Sequence, residues 1–307
     1  HFIEVSEVNK MNTSLDGLSG RTLSAISTKY KKYYLPKKQN YKFKSSYIKY
    51  LKERVFPGHN SENLKDITLP LIASFLVTDG YISIRHKKKI NVFELGFANK
   101  NLELINAFND LIYITFNEVP SNIQYGEMTR SRFVASWHVP MIKELIEYAY
   151  LNGKKDVSKL LHVERALLFE CFRIAMSCDG FITFHVSEDP YLHRQVYHRI
   201  RGSLQLGCKP IELRSQWKKI SDILGFNFKI AVDRIKCFDY NLMEKFFKLG
   251  GFVPQTLICG NSDYYEGIEK NKLLEAVLEV KNLGENNIVS KYDVGGLLRQ
   301  RVTAALK

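Results

Sequence analysis

The sequence contains few cysteines, and their spacing argues against two common kinds of site. There are five among 307 residues, an odd number, and no two of them form a C-x-x-C pair. A disulfide framework or a cysteine-based zinc site is therefore disfavoured, and a reducing compartment is expected. We accordingly predict an intracellular location, such as the cytoplasm, a nucleoid or an organelle matrix.

Long hydrophobic runs and an excess of acidic residues are also lacking. The run LPLIASFLV at residues 69–77 is less than half as long as a membrane-spanning helix, so we expect no membrane partner. Lysine and arginine total 45 against 32 aspartate and glutamate, which gives a formal charge of +13. A surplus of this size favours a polyanionic partner, and nucleic acid is the first candidate ahead of an anionic membrane surface.

Residues 1–64 are predicted to form a basic N-terminal extension. Lysines alternate with tyrosines and phenylalanine over residues 29–54. Such a mixture can bind phosphates and stack its rings on bases. It is equally typical of a solvated helix whose tyrosines pack on the main body of the protein, and both interpretations stay open.

The remaining sequence repeats one order of predicted elements. Helical and alternating patterns give helix, strand, strand, helix, strand, strand, helix over residues 65–155, and the same order over 156–262. A C-terminal helix and tail follow at 263–307. Because the first helix of each repeat ends in Asp-Gly, at Asp79 and Asp179, we predict an α+β fold of two pseudo-symmetric αββαββα repeats.

The two Asp-Gly pairs are the strongest indication of chemistry. One such pair after a helix is an ordinary turn, but a carboxylate in the last helical turn meets the partial negative charge of unpaired carbonyls. Its repetition indicates a bound divalent cation. Small residues lie on one face of each preceding helix: Ser74 and Thr78 in the first, and Ala175 and Cys178 in the second. If these faces pack together, Asp79 and Asp179 meet.

The nine residues ending at each glycine are IASFLVTDG (72–80) and FRIAMSCDG (172–180). They resemble the two motifs of a single-chain LAGLIDADG homing endonuclease, and the resemblance extends over roughly residues 65–255. It implies a monomer whose two saddle-shaped antiparallel sheets straddle the major groove of DNA. Ile174 stands where a glycine is usual in this family, whereas both motif acids are present.

The resemblance also implies a set of catalytic residues. Asp79 and Asp179 would bind Mg²⁺ and cut the two strands with a stagger across the minor groove. The backbone carbonyls of Thr78 and Cys178 would be further metal ligands. The cofactor that we predict is therefore Mg²⁺ or a similar divalent cation.

Family members usually carry polar residues that organise water near the metals, and often a lysine. Asn99 follows the second strand of the first repeat at the matching place, where the second repeat has Cys208. Lys236 resembles the lysine position, and an ordinary phosphate contact is its alternative role. The first repeat has Pro140 there instead, and Lys229 is a weaker candidate.

The alternation of apolar and polar residues along the strands predicts which side chains point away from the core and towards DNA. In the first repeat these are Tyr81, Ser83, Arg85, Lys87, Arg130 and Arg132. In the second they are Thr183, His185, Tyr197, Arg199, Arg201, Ser203 and Gln205. Arginine and glutamine suit base edges, whereas Lys87 suits a phosphate. The alternative is a solvated sheet face.

The sequence therefore predicts a site-specific, metal-dependent endodeoxyribonuclease that makes a staggered double-strand break in a long, non-palindromic target. Double-stranded DNA is the expected partner, and intron RNA is a second possible one. Two alternatives remain open. One is an RNA-binding maturase that assists intron splicing, and the other is a non-catalytic DNA-binding regulator.

Overall fold

The structure, a computed structural model, describes residues 38–55, 64–87, 90–133, 138–190, 196–259 and 265–284. The chain divides into two compact units, unit 1 up to Cys171 and unit 2 from Phe172. Among the described residues, no helix is long and apolar enough to cross a membrane.

Unit 1 contains one four-stranded antiparallel sheet with helices packed on it. Its helices are α1 (Ser46–Arg54), α2 (Leu64–Val77), α3 (Leu102–Phe116) and α4 (Val139–Ala149). Its strands are β1 (Gly80–Lys87), β2 (Ile90–Asn99), β3 (Asn122–Gln124) and β4 (Thr129–Phe133), in the order β1-β2-β4-β3. A small hairpin of β5 (Tyr150–Leu151) and β6 (Lys154–Lys155) follows, and then a 3-10 helix at Ser158–His162.

Unit 2 repeats this order of elements. Helix α5 (Arg165–Asp179) contains the boundary between the two units. It leads into β7 (Gly180–Pro190) and β8 (Val196–Gly207). The unit continues with α6 (Ile211–Leu224), β9 (Lys229–Ile230), β10 (Arg234–Cys237), α7 (Tyr240–Lys248) and α8 (Lys270–Gly284). Its sheet order, β7-β8-β10-β9, is that of unit 1. The predicted α+β class with a repeated αββαββα order is confirmed.

Helix α2 is apolar all round because it is buried all round, with Leu71, Ile72 and Phe75 fully inaccessible to solvent. The helix ends where the chain turns sharply into β1. A Cβ atom at Gly80 would lie 2.5 Å from the Cα atom of Leu76, and one at Gly180 would overlap the backbone of Met176 in the same way. The close approach of helix and strand therefore requires the glycine of each Asp-Gly pair.

The described part of the N-terminal extension packs on α3. Tyr41 stacks on Tyr113 with ring centroids 4.5 Å apart and donates a 2.6 Å hydrogen bond to Asp110. Glu103, in the first turn of α3, accepts hydrogen bonds from the side chain of Ser45 and from the backbone N–H of Tyr47. The packing interpretation is thus confirmed for Tyr41 and Tyr47, while nucleic-acid binding by the extension stays a prediction.

Candidate active site

Asp79 lies between the end of α2 and the start of β1, and Asn99 is the last residue of β2. The side-chain amide of Asn99 donates a 2.6 Å hydrogen bond to Oδ2 of Asp79. The orientation of this amide is set from the other side, because its Oδ1 accepts a 2.7 Å hydrogen bond from the backbone N–H of Asn101. The structure therefore brings Asp79 and Asn99 together, and the catalytic role of each stays a prediction.

A lysine that is not among the predicted site residues lies beside Asp79. The Nζ atom of Lys155, on β6, donates hydrogen bonds to the backbone oxygens of Thr78 at 2.7 Å and Gly80 at 2.9 Å. These two carbonyls flank Asp79 in the chain. The ammonium group offsets the partial negative charge at the end of α2. The Thr78 carbonyl, a predicted metal ligand, already accepts one of these two hydrogen bonds.

Unit 2 has a related arrangement around Asp179, in which the first bound carbonyl lies one residue earlier in the motif. The Nζ atom of Lys270, the first residue of α8, donates hydrogen bonds to the backbone oxygens of Ser177 at 2.8 Å and Gly180 at 2.6 Å. Lys270 is 6% exposed. The carbonyls of the two neighbours of Cys178–Asp179 are therefore bound by a buried cation. Metal binding by the carbonyl of Cys178, the other predicted backbone ligand, stays a prediction.

The two units differ at the position of Asn99. Gly80 pairs with Phe97 in unit 1, and Gly180 pairs with Leu206 in unit 2, so two residues further along β2 and β8 the matching residues are Asn99 and Cys208. The Cys208 thiol lies 3.7 Å from the carbonyl oxygen of Pro210, and its backbone N–H donates to Asp233. A thiol thus replaces the amide that holds the carboxylate in unit 1.

The face of the first sheet that bears Tyr81 and Arg132 is polar and carries a buried acid. Glu94, on β2, is 1% exposed. It accepts a 2.8 Å hydrogen bond from the hydroxyl of Tyr81, and its Oε1 lies 3.4 Å from Nε of Arg132. Burial, followed by the hydrogen bond to Glu94, raises the pKa of the Tyr81 hydroxyl. Arg130, two residues before Arg132, is exposed.

The corresponding face of the second sheet carries a hydrogen-bonded network. The hydroxyls of Thr183 and Ser203 are 2.7 Å apart, and the Gln205 amide donates to both. Arg234 donates to the Gln205 carbonyl oxygen at 3.2 Å and lies over the ring of Phe181. Ser203 and Gln205 are consequently only 2% and 5% exposed. Both lie on the predicted polar face, but under neighbouring side chains.

Across the part of the chain that the structure describes, no cluster of three or more potential metal-ligating side chains occurs. No protein-family profile matches the sequence, and no curated protein matches it significantly. Solved structures do match. The LAGLIDADG meganuclease I-AabMI, bound to uncleaved DNA, is similar over 78% of this chain and 99% of its own, with a TM-score of 0.51 and 11% identity.

Two further matches have lower scores. I-GzeII in complex with its DNA target has a TM-score of 0.46 at 10% identity, over 77% of this chain and 96% of that one. I-CpaMI bound to uncleaved DNA has a TM-score of 0.45 at 13% identity, over 78% and 97%. The match to I-AabMI decides the architecture. This chain has the fold of the LAGLIDADG meganucleases. The resemblance carried by residues 72–80 and 172–180 is thereby confirmed as a likeness of fold.

One comparison between the repeats of the LAGLIDADG fold was wrong. The distance to the next helix equates Lys236 with Pro140, but Lys236 pairs with Gln205 on β8 just as Arg132 pairs with Gly96 on β2. Arg132 is therefore the counterpart of Lys236, because the strand register and not the distance to the next helix sets the equivalence. Lys236 lies on the polar sheet face, and its catalytic role stays a prediction.

The remaining predicted positions of the LAGLIDADG sheets fall into two groups. Ser83 and Thr183 are partly exposed, and Arg201 is exposed. For the others the structure describes the strand but not the side chain: Arg85, Lys87, His185, Tyr197 and Arg199. Lys229, the weaker candidate, is exposed on the edge strand β9 and pairs with Lys236.

Proposed function

We propose that this protein is a metal-dependent, site-specific DNA endonuclease that cuts both strands of its target. The observation that carries the proposal is the repeated arrangement of acid and lysine. Asp79 and Asp179 lie at the C-terminal ends of equivalent helices, and backbone carbonyls around each are bound by a lysine, Lys155 or Lys270. One acid in each unit suits an enzyme that cuts one strand with each half of the chain.

The residues around Asp79 fit a hard divalent cation such as Mg²⁺, which binds oxygen ligands and keeps several waters. The donors at hand are a carboxylate and the carbonyl end of a helix, where a cation is favoured. When bound, the metal would supply Lewis acidity to the scissile phosphate and lower the pKa of the attacking water. Asp79 and Asp179 would hold it, and Asn99 would fix the orientation of the Asp79 carboxylate.

Lys155 and Lys270 would place positive charge next to the reacting phosphate. Lys155 is held by the carbonyls on either side of Asp79, and Lys270 by those of Ser177, two residues before Asp179, and Gly180, directly after it. A fixed cation stabilises the additional negative charge that develops as a phosphodiester is cleaved. The two lysines therefore serve as electrostatic partners to the acids in this proposal.

Duplex DNA is the proposed substrate. The net charge of +13 favours a polyanion, and I-AabMI, which shares the fold, is bound to DNA. The polar sheet faces bear arginines, Arg132 in unit 1 and Arg201 and Arg234 in unit 2, which suit base edges and phosphates. Because the faces differ in sequence, the target of one chain need not be palindromic.

The proposal also retains the predicted intracellular, reducing location, for which the five free thiols are the support. An RNA maturase or a non-catalytic regulator would share the charge and the fold. Both motif acids and both carbonyl-bound lysines would then have no catalytic use. The endonuclease is preferred for this reason, and the other two functions are outcomes of the test below.

The test is a cleavage assay on DNA from the protein's own locus with its intervening sequence removed, with and without Mg²⁺. We expect a staggered double-strand break that requires the metal. Asp79→Asn and Asp179→Asn should each bind the target but lose double-strand cleavage, whereas the matched surface change Asp222→Asn should leave it intact. Unchanged cutting by the two motif variants, or tight binding of intron RNA without any DNA cleavage, would refute the proposal.

A further inference from the structure

Three side chains of the first sheet form a small assembly that has no role in the proposed catalytic mechanism: Tyr81, Glu94 and Arg132. Tyr81 on β1 and Arg132 on β4 both pair with Gly96, which lies between them on β2. The ring of Tyr81 lies across Gly96, where a Cβ atom would overlap it. This allows the Tyr81 hydroxyl to reach Glu94, two residues away on the same face of β2.

Glu94 in turn holds the Arg132 side chain in position. A carboxylate that is 1% exposed is costly to leave without a cationic partner, and Arg132 has its Nε atom 3.4 Å from this carboxylate. Moving the guanidinium away would leave the buried charge of Glu94 with less compensation. The Arg132 side chain is nevertheless 25% exposed, so part of it is open to a ligand on the polar face.

The contact with Glu94 determines which edge of the Arg132 guanidinium is already occupied. The Nε atom lies 3.4 Å from Glu94 and is buried, so the exposed quarter of the Arg132 side chain does not include this atom. A planar fork of two terminal N–H donors matches the O6 and N7 acceptors of guanine in the major groove. An arginine already held by a buried acid loses less conformational entropy on binding than a free one.

We propose that Arg132, held by Glu94 and Tyr81, reads a single guanine in the half of the DNA target bound by unit 1. This inference rests on the proposed function, since it assumes that the polar sheet face lies in a major groove. It makes Arg132 a specificity-determining residue and Glu94 a positioning residue that acts through it.

Unit 2 has no equivalent of this assembly. The strand register places Phe181, Ser203 and Lys236 at the positions of Tyr81, Glu94 and Arg132. Phe181 has no hydroxyl, Ser203 has no charge, and a lysine is a point charge without a planar fork. The guanine preference is therefore expected in one half of the target and not at the symmetric position of the other half.

The test is selection of bound sequences from a random duplex library in buffer without divalent cations, so that no cutting interferes. The variants are Arg132→Lys, which keeps the charge but removes the fork, and Glu94→Gln, which keeps the shape but removes the buried charge. Arg165→Lys, at an exposed position on α5, is the matched control. Thermal unfolding of each variant establishes that it is folded.

We expect the wild-type protein and Arg165→Lys to select the same motif, with one guanine that Arg132→Lys no longer prefers. The preference at this base pair should fall about tenfold or more, since a bidentate pair discriminates by that factor. Glu94→Gln should weaken it by a smaller factor. All other positions of the motif should stay unchanged.

Two failures are distinguishable. A wild-type protein that selects no motif would overturn the proposed DNA function itself. A clear wild-type motif that Arg132→Lys shares at every position would leave that function standing and overturn the inference. If either variant does not fold, Tyr81→Phe removes one hydrogen bond to Glu94 and should reduce the same guanine preference, and an unchanged preference would again overturn it.

Discussion

The amide of Asn99 donates a hydrogen bond to the carboxylate of Asp79, with Nδ2 and Oδ2 only 2.6 Å apart. A hydrogen bond to an ionised group is shorter and stronger than a neutral one. At the matching position of unit 2 stands Cys208, whose thiol is directed to the carbonyl oxygen of Pro210. The two units, which otherwise repeat the same order of elements, therefore hold their acids in different ways.

Asn99→Ala should impair one strand cut more than the other. A hydrogen bond to a charged group contributes about 1.5–3 kcal/mol, so the cut that depends on Asp79 should slow by roughly tenfold or more. A supercoiled plasmid carrying the target would then accumulate as the nicked form before it is linearised. Cys208→Ala is the control, and nicked plasmid should not accumulate with it. Equal accumulation with both variants would contradict the asymmetry.

Lys155→Gln and Lys270→Gln should slow cleavage much more than they weaken binding. Each removes a cation held beside a motif aspartate and leaves two backbone carbonyls with one partner fewer. We expect the cleavage rate to fall by about tenfold or more, with DNA affinity in a gel-shift assay within a few-fold of wild type. Lys218→Gln, in an exposed pair with Asp222, is the control. Loss of affinity equal to the loss of rate would instead indicate a simple phosphate contact.

Gly250→Ala should destabilise unit 2 strongly. Gly250 has a φ of +105°, and a Cβ atom there would overlap the guanidinium of Arg173, which is buried and donates to the carbonyl oxygens of Leu249 and Gly251. Backbone strain and the displaced arginine together should cost about 2–4 kcal/mol in urea unfolding. Gly267 also has a positive φ but nothing within 4 Å of its Cβ position, so Gly267→Ala should cost only about 1 kcal/mol.

Cys171 should make the stability fall at alkaline pH. Burial raises the pKa of its thiol to about 12, although a hydrogen bond with Ser74 acts in the opposite direction. Above the ordinary thiol pKa of about 9, the unfolded chain releases this proton while the folded chain keeps it. The folded state therefore loses about 1.4 kcal/mol for each pH unit from about pH 9 towards pH 12.

The measurement for Cys171 is the free energy of urea unfolding at pH 8 and pH 10, for the wild-type protein and Cys171→Ala. The variant lacks the thiol but keeps the other alkaline groups. The advantage of the wild type over the variant should therefore shrink by about 1 kcal/mol between the two pH values. A constant difference between the two proteins would show that the thiol does not carry the effect.

The fold was predictable because it depends on local patterns that occur twice. Helix-like and alternating segments and the glycine after each aspartate follow from sterics within a few residues of Asp79 and Asp179. The exact ends of strands did not follow. The polar run Glu188–Pro190 predicts a turn, but β7 continues through it because each residue pairs with β8, as far as Pro190 opposite Val196.

The site was predictable only where its residues are close in sequence to the motif or follow the next strand. Asp79, Asp179 and Asn99 belong to this group. The polar stretch at 152–156 predicts a linker between the repeats, but Asn152-Gly153, with positive φ at both residues, is the turn of a two-residue hairpin whose second strand carries Lys155. Lys270 lies outside the repeated elements altogether. The contact between Glu94 and Arg132 depends on the register of the strands, and the spacing of residues in the sequence does not indicate it.

Lys155 is 77 residues from Thr78 in the chain, and Lys270 is 93 residues from Ser177. During synthesis, each aspartate therefore emerges from the ribosome long before the lysine that completes its surroundings. Closing a contact over so many residues is also slow in folding compared with forming the helix itself. A nascent or prematurely terminated chain would carry the acids and the basic surface without a finished centre. Each aspartate therefore gains its surroundings only when the described element that carries its lysine, β6 for Asp79 and α8 for Asp179, is in place.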